Sequence, residues 1–167
     1  MSDMATVEQR LAELGIALPE PPSPAAIYVP AVAVGRLVFT SGNDCRVNGR
    51  LLYTGKVGGE LTVEQGQAAA RQTMINLLAV LKAQAGDLDA VERIVKVLGF
   101  VNSAPGFAEQ PYVINGASAL LEEVFGENGR HARSAIGTSE LPFHTPVEIE
   151  MVVLLKPSAA AGAGSQF

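Results

Sequence analysis

One cysteine, no tryptophan and two histidines in 167 residues remove several protein classes at once. Cys45 is alone, so no internal disulfide can form; with no histidine near it in sequence, it reads as an inert or surface thiol rather than a nucleophile. His131 and His144 with a single cysteine fall short of a usual zinc set, and no acidic spacing marks a magnesium site, so no metal is expected. Charge is also scarce. Only 17% of residues are charged, and the 12 Lys and Arg are scattered along a chain of formal net charge −5. Without a basic run, a dedicated nucleic-acid surface is not expected. Residues 1–20 are amphipathic rather than apolar, which argues against a signal peptide, and no apolar stretch reaches the roughly 18 residues of a membrane span. A cytoplasmic protein is the default. Catalytic fingerprints are missing as well. There is no G-x-S-x-G elbow and no P-loop, and Gly55-x-x-Gly58-Gly59 lacks the strand–turn–helix context of a dinucleotide site.

What remains is an aliphatic chain, 48% hydrophobic with 5% aromatics, long enough for one domain with a sizeable core. So lean a charge content suggests that part of the surface is hidden by self-association. Thr6 to Leu14 reads as a short helix with Val7, Leu11 and Leu14 on one face, closed by Gly15 and a Pro-rich connector from Pro19 to Pro24. Tyr28 to Val34 and Leu37 to Ser41 read as strands around a Gly35-Arg36 hairpin turn, and 43–59 as loops around one short strand. Thr62-Val63-Glu64-Gln65 is a capping box that opens a long helix, which Gly86 closes. Val91 to Val101 is a strand run. Pro111 opens a second helix that ends at Gly126, and strands follow around 132–137 and 147–155. Strands cluster at both ends and the helices need only one sheet face, which predicts an α+β layer with the other face left for a partner copy.

Two charges interrupt the last two strand runs. Arg133 lies in Ala132-Arg133-Ser134-Ala135-Ile136, and Glu148 lies fifteen residues later. A charge in a covered strand is costly unless it is paired or functional. Arginine offers a rigid fork for a carboxylate, and glutamate can orient or deprotonate water. A small pocket for an anionic substrate and a structural Arg133–Glu148 ion pair are both open on residue types alone.

The stretch His131-Ala132-Arg133-Ser134-Ala135-Ile136, then Leu141-Pro142, then Val147-Glu148-Ile149-Glu150 resembles the C-terminal signature of the YjgF/Rid family. These are the reactive intermediate/imine deaminases, also labelled endoribonuclease L-PSP. The resemblance extends to Pro24-Ala25-Ala26-Ile27-Tyr28, to Gly35 through Thr40-Ser41-Gly42, to the helix at 62–85, to Val97–Asn102 and to Asn115, and so spans 24–156. It implies three segments: an N-terminal helix and connector over 1–23, the family domain over 24–156, and an Ala/Gly/Ser-rich mobile tail over 157–167. It also implies a chorismate-mutase-like α+β fold, a mixed sheet with two main helices on one face, assembled as a homotrimer with clefts between subunits.

By the same resemblance, Arg133 matches the arginine that grips a substrate carboxylate, and Glu148 the acid that holds the hydrolytic water. Tyr28, Ser41, Gly42 and Asn115 match positions lining the cleft. The implied reaction hydrolyses small 2-imino or 2-aminoacrylate-type acids to 2-oxo acids and ammonia. No cofactor is needed, because a protonated imine is already electrophilic. Two alternatives stand beside it: a non-catalytic binder of small carboxylates, and the ribonuclease of the family label, which an acidic chain disfavours. The chain departs from the family pattern at Ala135, where cysteine is frequent, and at His131, which is expected to face solvent. The N-terminal helix and the longer 102–112 connector place it in a longer-chain branch.

Overall fold

The computed structural model describes residues 6–157; from Ser158 onward, the expected mobile tail lies outside the described residues. Helix α1 (Val7–Glu13) opens on a capping box in which Thr6 Oγ1 accepts from the Gln9 amide at 3.2 Å and Gln9 Oε1 accepts from the Thr6 amide at 2.8 Å. The same chemistry starts α2 (Val63–Ala85) at Thr62 and Gln65, and Gly86, with φ +82°, ends it. Helix α3 (Gln110–Phe125) carries Pro111 in its first turn and stops at Gly126, with φ +61°.

Strands β1 (Ala31–Val34) and β2 (Leu37–Thr40) form the predicted hairpin around Gly35. The first strand is shorter than its apolar run suggested: Tyr28 lies before it in a bent segment, and Pro30 has no amide to add to the ladder. The 43–59 region holds two short strands rather than one, β3 (Arg46–Val47) and β4 (Arg50–Leu51). They pair across Asn48 and Gly49, both at positive φ. Strands β5 (Val91–Asn102), β6 (Ala132–Thr138) and β7 (Val147–Leu155) complete the main sheet.

The five-stranded sheet runs β1-β2-β7-β5-β6. All pairings are antiparallel except β5 with β6, whose parallel pairing requires the α3 crossover. The last strand in sequence is therefore the middle strand in space, and β6 is an edge. Helices α2 and α3 cover one face, and the fold is a mixed-sheet α+β layer with three helices. The core between them is aliphatic, as the composition implied: Leu77, Leu78, Leu81, Ile94, Ile114, Leu120, Leu121 and Ile149 are fully enclosed. Cys45 is also buried, against the Tyr53 carbonyl and the Thr145 hydroxyl, which decides for an inert thiol rather than a surface one. Helix α1 joins this core through Val7 and Leu11, and Arg10 Nη1 donates to the Val124 carbonyl at 2.9 Å. Among the described residues, no helix is long and apolar enough to cross a membrane.

Among the described residues, no helix lies on the opposite sheet face, and Val32, Val34, Phe39 and Ile136 are exposed there.

Helices α2 and α3 approach closely at Gly116, where a Cβ would come within 2.8 Å of the Gln67 carbonyl carbon. Backbone cannot swing aside as a side chain can. Gly116→Ala should therefore cost about 1–3 kcal/mol of stability through overpacking, read as a lower melting temperature.

Candidate functional site

Strand alternation decides where each charge points. Along β7, Val147, Ile149, Met151, Val153 and Leu155 are buried beneath the helices, so Glu148 and Glu150 take the open face. The register sets Glu148 beside Phe100, and Phe100 beside Ile136. Arg133 belongs to the other set of rows: it pairs with Val97, which pairs with Met151, both buried on the helix side. Side chains opposite one another share a face. Arg133 and Glu148 therefore leave the sheet in opposite directions, and among the described residues neither has an ion-pair partner. The interstrand ion pair that residue types left open does not exist within the chain.

Glu148 stands in a cleft of about 690 Å³. Asn43 exchanges backbone hydrogen bonds with Ile149, at 2.9 and 3.1 Å, and so lays Gly42 and Asp44 alongside β7. Gly42 has a steric reason to be glycine. A Cβ there would sit 2.9 Å from Glu148 Cδ and closer still to Oε1, so the bare backbone makes room for the carboxylate. Tyr28 and Ser41 also line the cleft. Ser41 Oγ donates to the Val29 carbonyl at 2.6 Å, and the Tyr28 hydroxyl accepts from the Ala25 amide at 3.2 Å, so both tie down the irregular 25–30 segment.

The cleft is acidic. Burial, then the neighbouring Asp44 and Glu150 charges, push the Glu148 carboxyl above its ordinary pKa. The cation in the same cleft, Arg46, is spent elsewhere. Its Nε bonds Asp44 Oδ2 at 2.9 Å, and its guanidinium lies 4.9 Å from the centroid of the Phe143 ring. Phe143 and His144 sit at φ +59° and +60°, two consecutive left-handed residues that turn the Phe143 ring into the cleft.

Arg133 is organised by α3 instead. Nη1 donates to Asn115 Oδ1 at 2.9 Å and to Ser118 Oγ at 3.0 Å, and Nη2 donates to the Pro111 carbonyl at 3.1 Å. Positions 111, 115 and 118 are spaced to share one helix face. A guanidinium has five N–H donors. Among the described residues three are taken, which leaves one on Nη2 and the one on Nε for an incoming anion. Burial lowers the pKa of the Arg133 guanidinium without removing its charge.

The structure thus sorts the six sequence-derived positions into two groups. Tyr28, Ser41 and Gly42 join Glu148, and Asn115 joins Arg133. Sequence reasoning missed two further residues, Ser118 and Glu150, and misplaced a third, His131. Ser118 lies inside the predicted second helix, and its spacing from Asn115 puts it on the same face. His131 does not face solvent as expected: it is half-buried, with Nδ1 2.7 Å from the Gly129 carbonyl and Nε2 3.0 Å from Ser118 Oγ. Glu150 could have been found from strand alternation with Glu148.

The chain is thus an α+β layer with an arginine on an edge strand and, among the described residues, an unpaired carboxylate on the central strand. The family model described as "YjgF/chorismate mutase-like, putative endoribonuclease" matches residues 8–154. The chain belongs to the YjgF/Rid family. It is 46% identical to Protein TCP17 of Trypanosoma cruzi over 150 residues, covering 89% of this chain and 94% of that protein. It is 30% identical to the 2-iminobutanoate/2-iminopropanoate deaminase of Dermatophagoides farinae, covering 84% of this chain and 95% of that one. Among solved structures, the protein Atu1372 with unknown function from Agrobacterium tumefaciens superposes with a TM-score of 0.82 at 44% identity, covering 90% of this chain and 92% of that one.

Proposed function

We propose that this chain is an imine deaminase for small 2-imino acids, with a site completed between copies of itself. The observation that carries this reading is the presence in one chain of a guanidinium with two uncommitted donors and a carboxylate that, among the described residues, no cation neutralises. Arg133 of one copy holds the substrate carboxylate through its two remaining donors. Glu148 of a neighbouring copy holds water against the imine carbon. Water oxygen bonds to that carbon while its proton passes to the Glu148 carboxylate. The proton then moves to the amino nitrogen of the carbinolamine; as the C–N bond breaks, the carbinolamine hydroxyl gives its proton to the Glu148 carboxylate, the C=O bond forms, and ammonia and the 2-oxo acid leave. A carboxyl with a raised pKa is a stronger base and is well matched to this shuttle. The family resemblance and the deaminase relative support the reaction class.

A direct test generates 2-iminopropanoate enzymatically and follows ammonia release with and without the protein. No acceleration, together with tight binding of the 2-oxo acid, would favour the non-catalytic carboxylate binder. The acidic cleft and net charge of −5 weigh against ribonuclease activity.

Because the two groups point to opposite faces of one chain, the site needs more than one copy, and the family resemblance supports a homotrimer with the open apolar face buried between copies. Subunit mixing tests this. Arg133→Ala and Glu148→Gln proteins should each be inactive, yet a refolded equal mixture should regain activity, since about one in four sites then draws both intact groups from different copies. No recovery would sink the shared site.

Two further outcomes follow from the cleft. Turnover should fall as pH drops through the raised Glu148 pKa, because only the ionised form accepts a proton; a rate that is flat across the acid limb would contradict the assignment. Gly42→Ala should displace the Glu148 carboxylate, costing on the order of a hundredfold in turnover, with melting little changed because a flexible side chain absorbs the clash.

A further inference from the structure

His131 stands directly behind the anion-binding arginine. Its Nδ1 is 2.7 Å from the Gly129 carbonyl, an atom that can only accept, so Nδ1 carries the hydrogen. When the ring is neutral, it then presents a bare Nε2 to Ser118 Oγ at 3.0 Å. The serine hydroxyl donates to the ring, and its oxygen lone pairs turn toward Arg133 Nη1 at 3.0 Å. The bonds therefore run one way, from guanidinium to serine to imidazole to backbone carbonyl. A hydroxyl that donates is a better acceptor, so each bond reinforces the next.

We propose that His131 is a positioning residue for substrate-carboxylate binding, acting on Arg133 through Ser118 by the aligned chain Arg133–Ser118–His131–Gly129. This rests on the reading of Arg133 as the carboxylate grip and deepens it. The backbone supplies the reason for the arrangement. Gly129 and His131 flank the turn from α3 into β6, so the ring is fixed two residues before the arginine it supports. Asn115 holds one Nη1 hydrogen and Ser118 the other. With Nη1 saturated and Nη2 tied to Pro111, the guanidinium plane is set and its two remaining donors are aimed. Without the imidazole, the serine hydroxyl is free to rotate, and it loses the bond that keeps its lone pairs on Arg133. The side chain at 131 thus governs affinity without touching substrate.

The test is a double-mutant cycle read by calorimetric titration with 2-oxobutanoate. His131→Ala and Ser118→Ala should each weaken binding roughly three- to tenfold, the worth of one ordinary hydrogen bond. The double variant should be no weaker than Ser118→Ala alone, because His131 acts only through that hydroxyl. In turnover, KM should rise while kcat holds, since the carboxylate is gripped alike in ground and transition states. Additive losses, or unchanged affinity in His131→Ala, would overturn the proposal. Arg133→Ala separates the two levels. If it also binds normally, the Arg133 reading itself fails; if it alone loses binding, only the relay fails.

Discussion

Arg133→Lys should weaken 2-oxo acid binding by tenfold to a hundredfold, and Arg133→Ala by more, while both proteins melt close to wild type. Lysine keeps the charge but not the fork, and a charge-assisted hydrogen bond is worth roughly 1.5–3 kcal/mol. The stability half of the expectation comes from the site's construction. Removing half of a buried ion pair costs about 3–5 kcal/mol because it strands a charge. No such pair exists here, and Arg133 is only partly buried. Its acceptors at Pro111 and Asn115 are exposed and regain water when the guanidinium goes. Titration calorimetry and thermal melting on the same samples check both halves. A large drop in melting temperature with unchanged affinity would make Arg133 a structural residue.

Glu148→Gln should lose roughly 10²- to 10⁴-fold in imine turnover, the usual contribution of a positioned acid–base group. It should also melt higher at neutral pH, not lower. Burial, Asp44 and Glu150 all disfavour the ionised form, so the folded pKa lies above the unfolded one. Such a group favours folding fully below its unfolded pKa and loses that contribution as pH rises through its folded pKa. At pH 7 wild type therefore carries an unfavourable charge, which the neutral amide removes. The gain should vanish in acid, where wild type is protonated too. Loss of activity with gain of stability is the pattern of a residue kept for chemistry. A destabilised Glu148→Gln protein would mean that the carboxylate supports the fold.

Much of the frame was legible from local chemistry. The capping boxes at Thr6 and Thr62, the glycine stops at 86 and 126, and Pro111 in a first helical turn all act within a few residues. They read correctly because nothing distant competes with them. Sheet order was not legible, since no local rule inserts β7 between β2 and β5. The consequences for the site are large. Arg133 and Glu148 were visible as charges out of place, but the face each takes depends on a register shared across three strands. His131 was misread because its partner Ser118 meets it only after α3 folds back onto β6. Tyr28 was drawn into a strand by its apolar neighbours, though Pro30 breaks the ladder. The resemblance to a known family supplied what spacing alone could not: the idea that residues this far apart serve one reaction.

The opposite-facing rows of Arg133 and Glu148 reach beyond geometry. Under the shared-site reading, a newly made chain carries both groups but no complete site, and stays inert until it meets its own kind. Specific activity then rises with the amount of protein present and collapses on dilution. A cell holding few copies has less than proportional protection against reactive imines, and one expressing a defective allele beside a sound one loses function in graded steps, site by site.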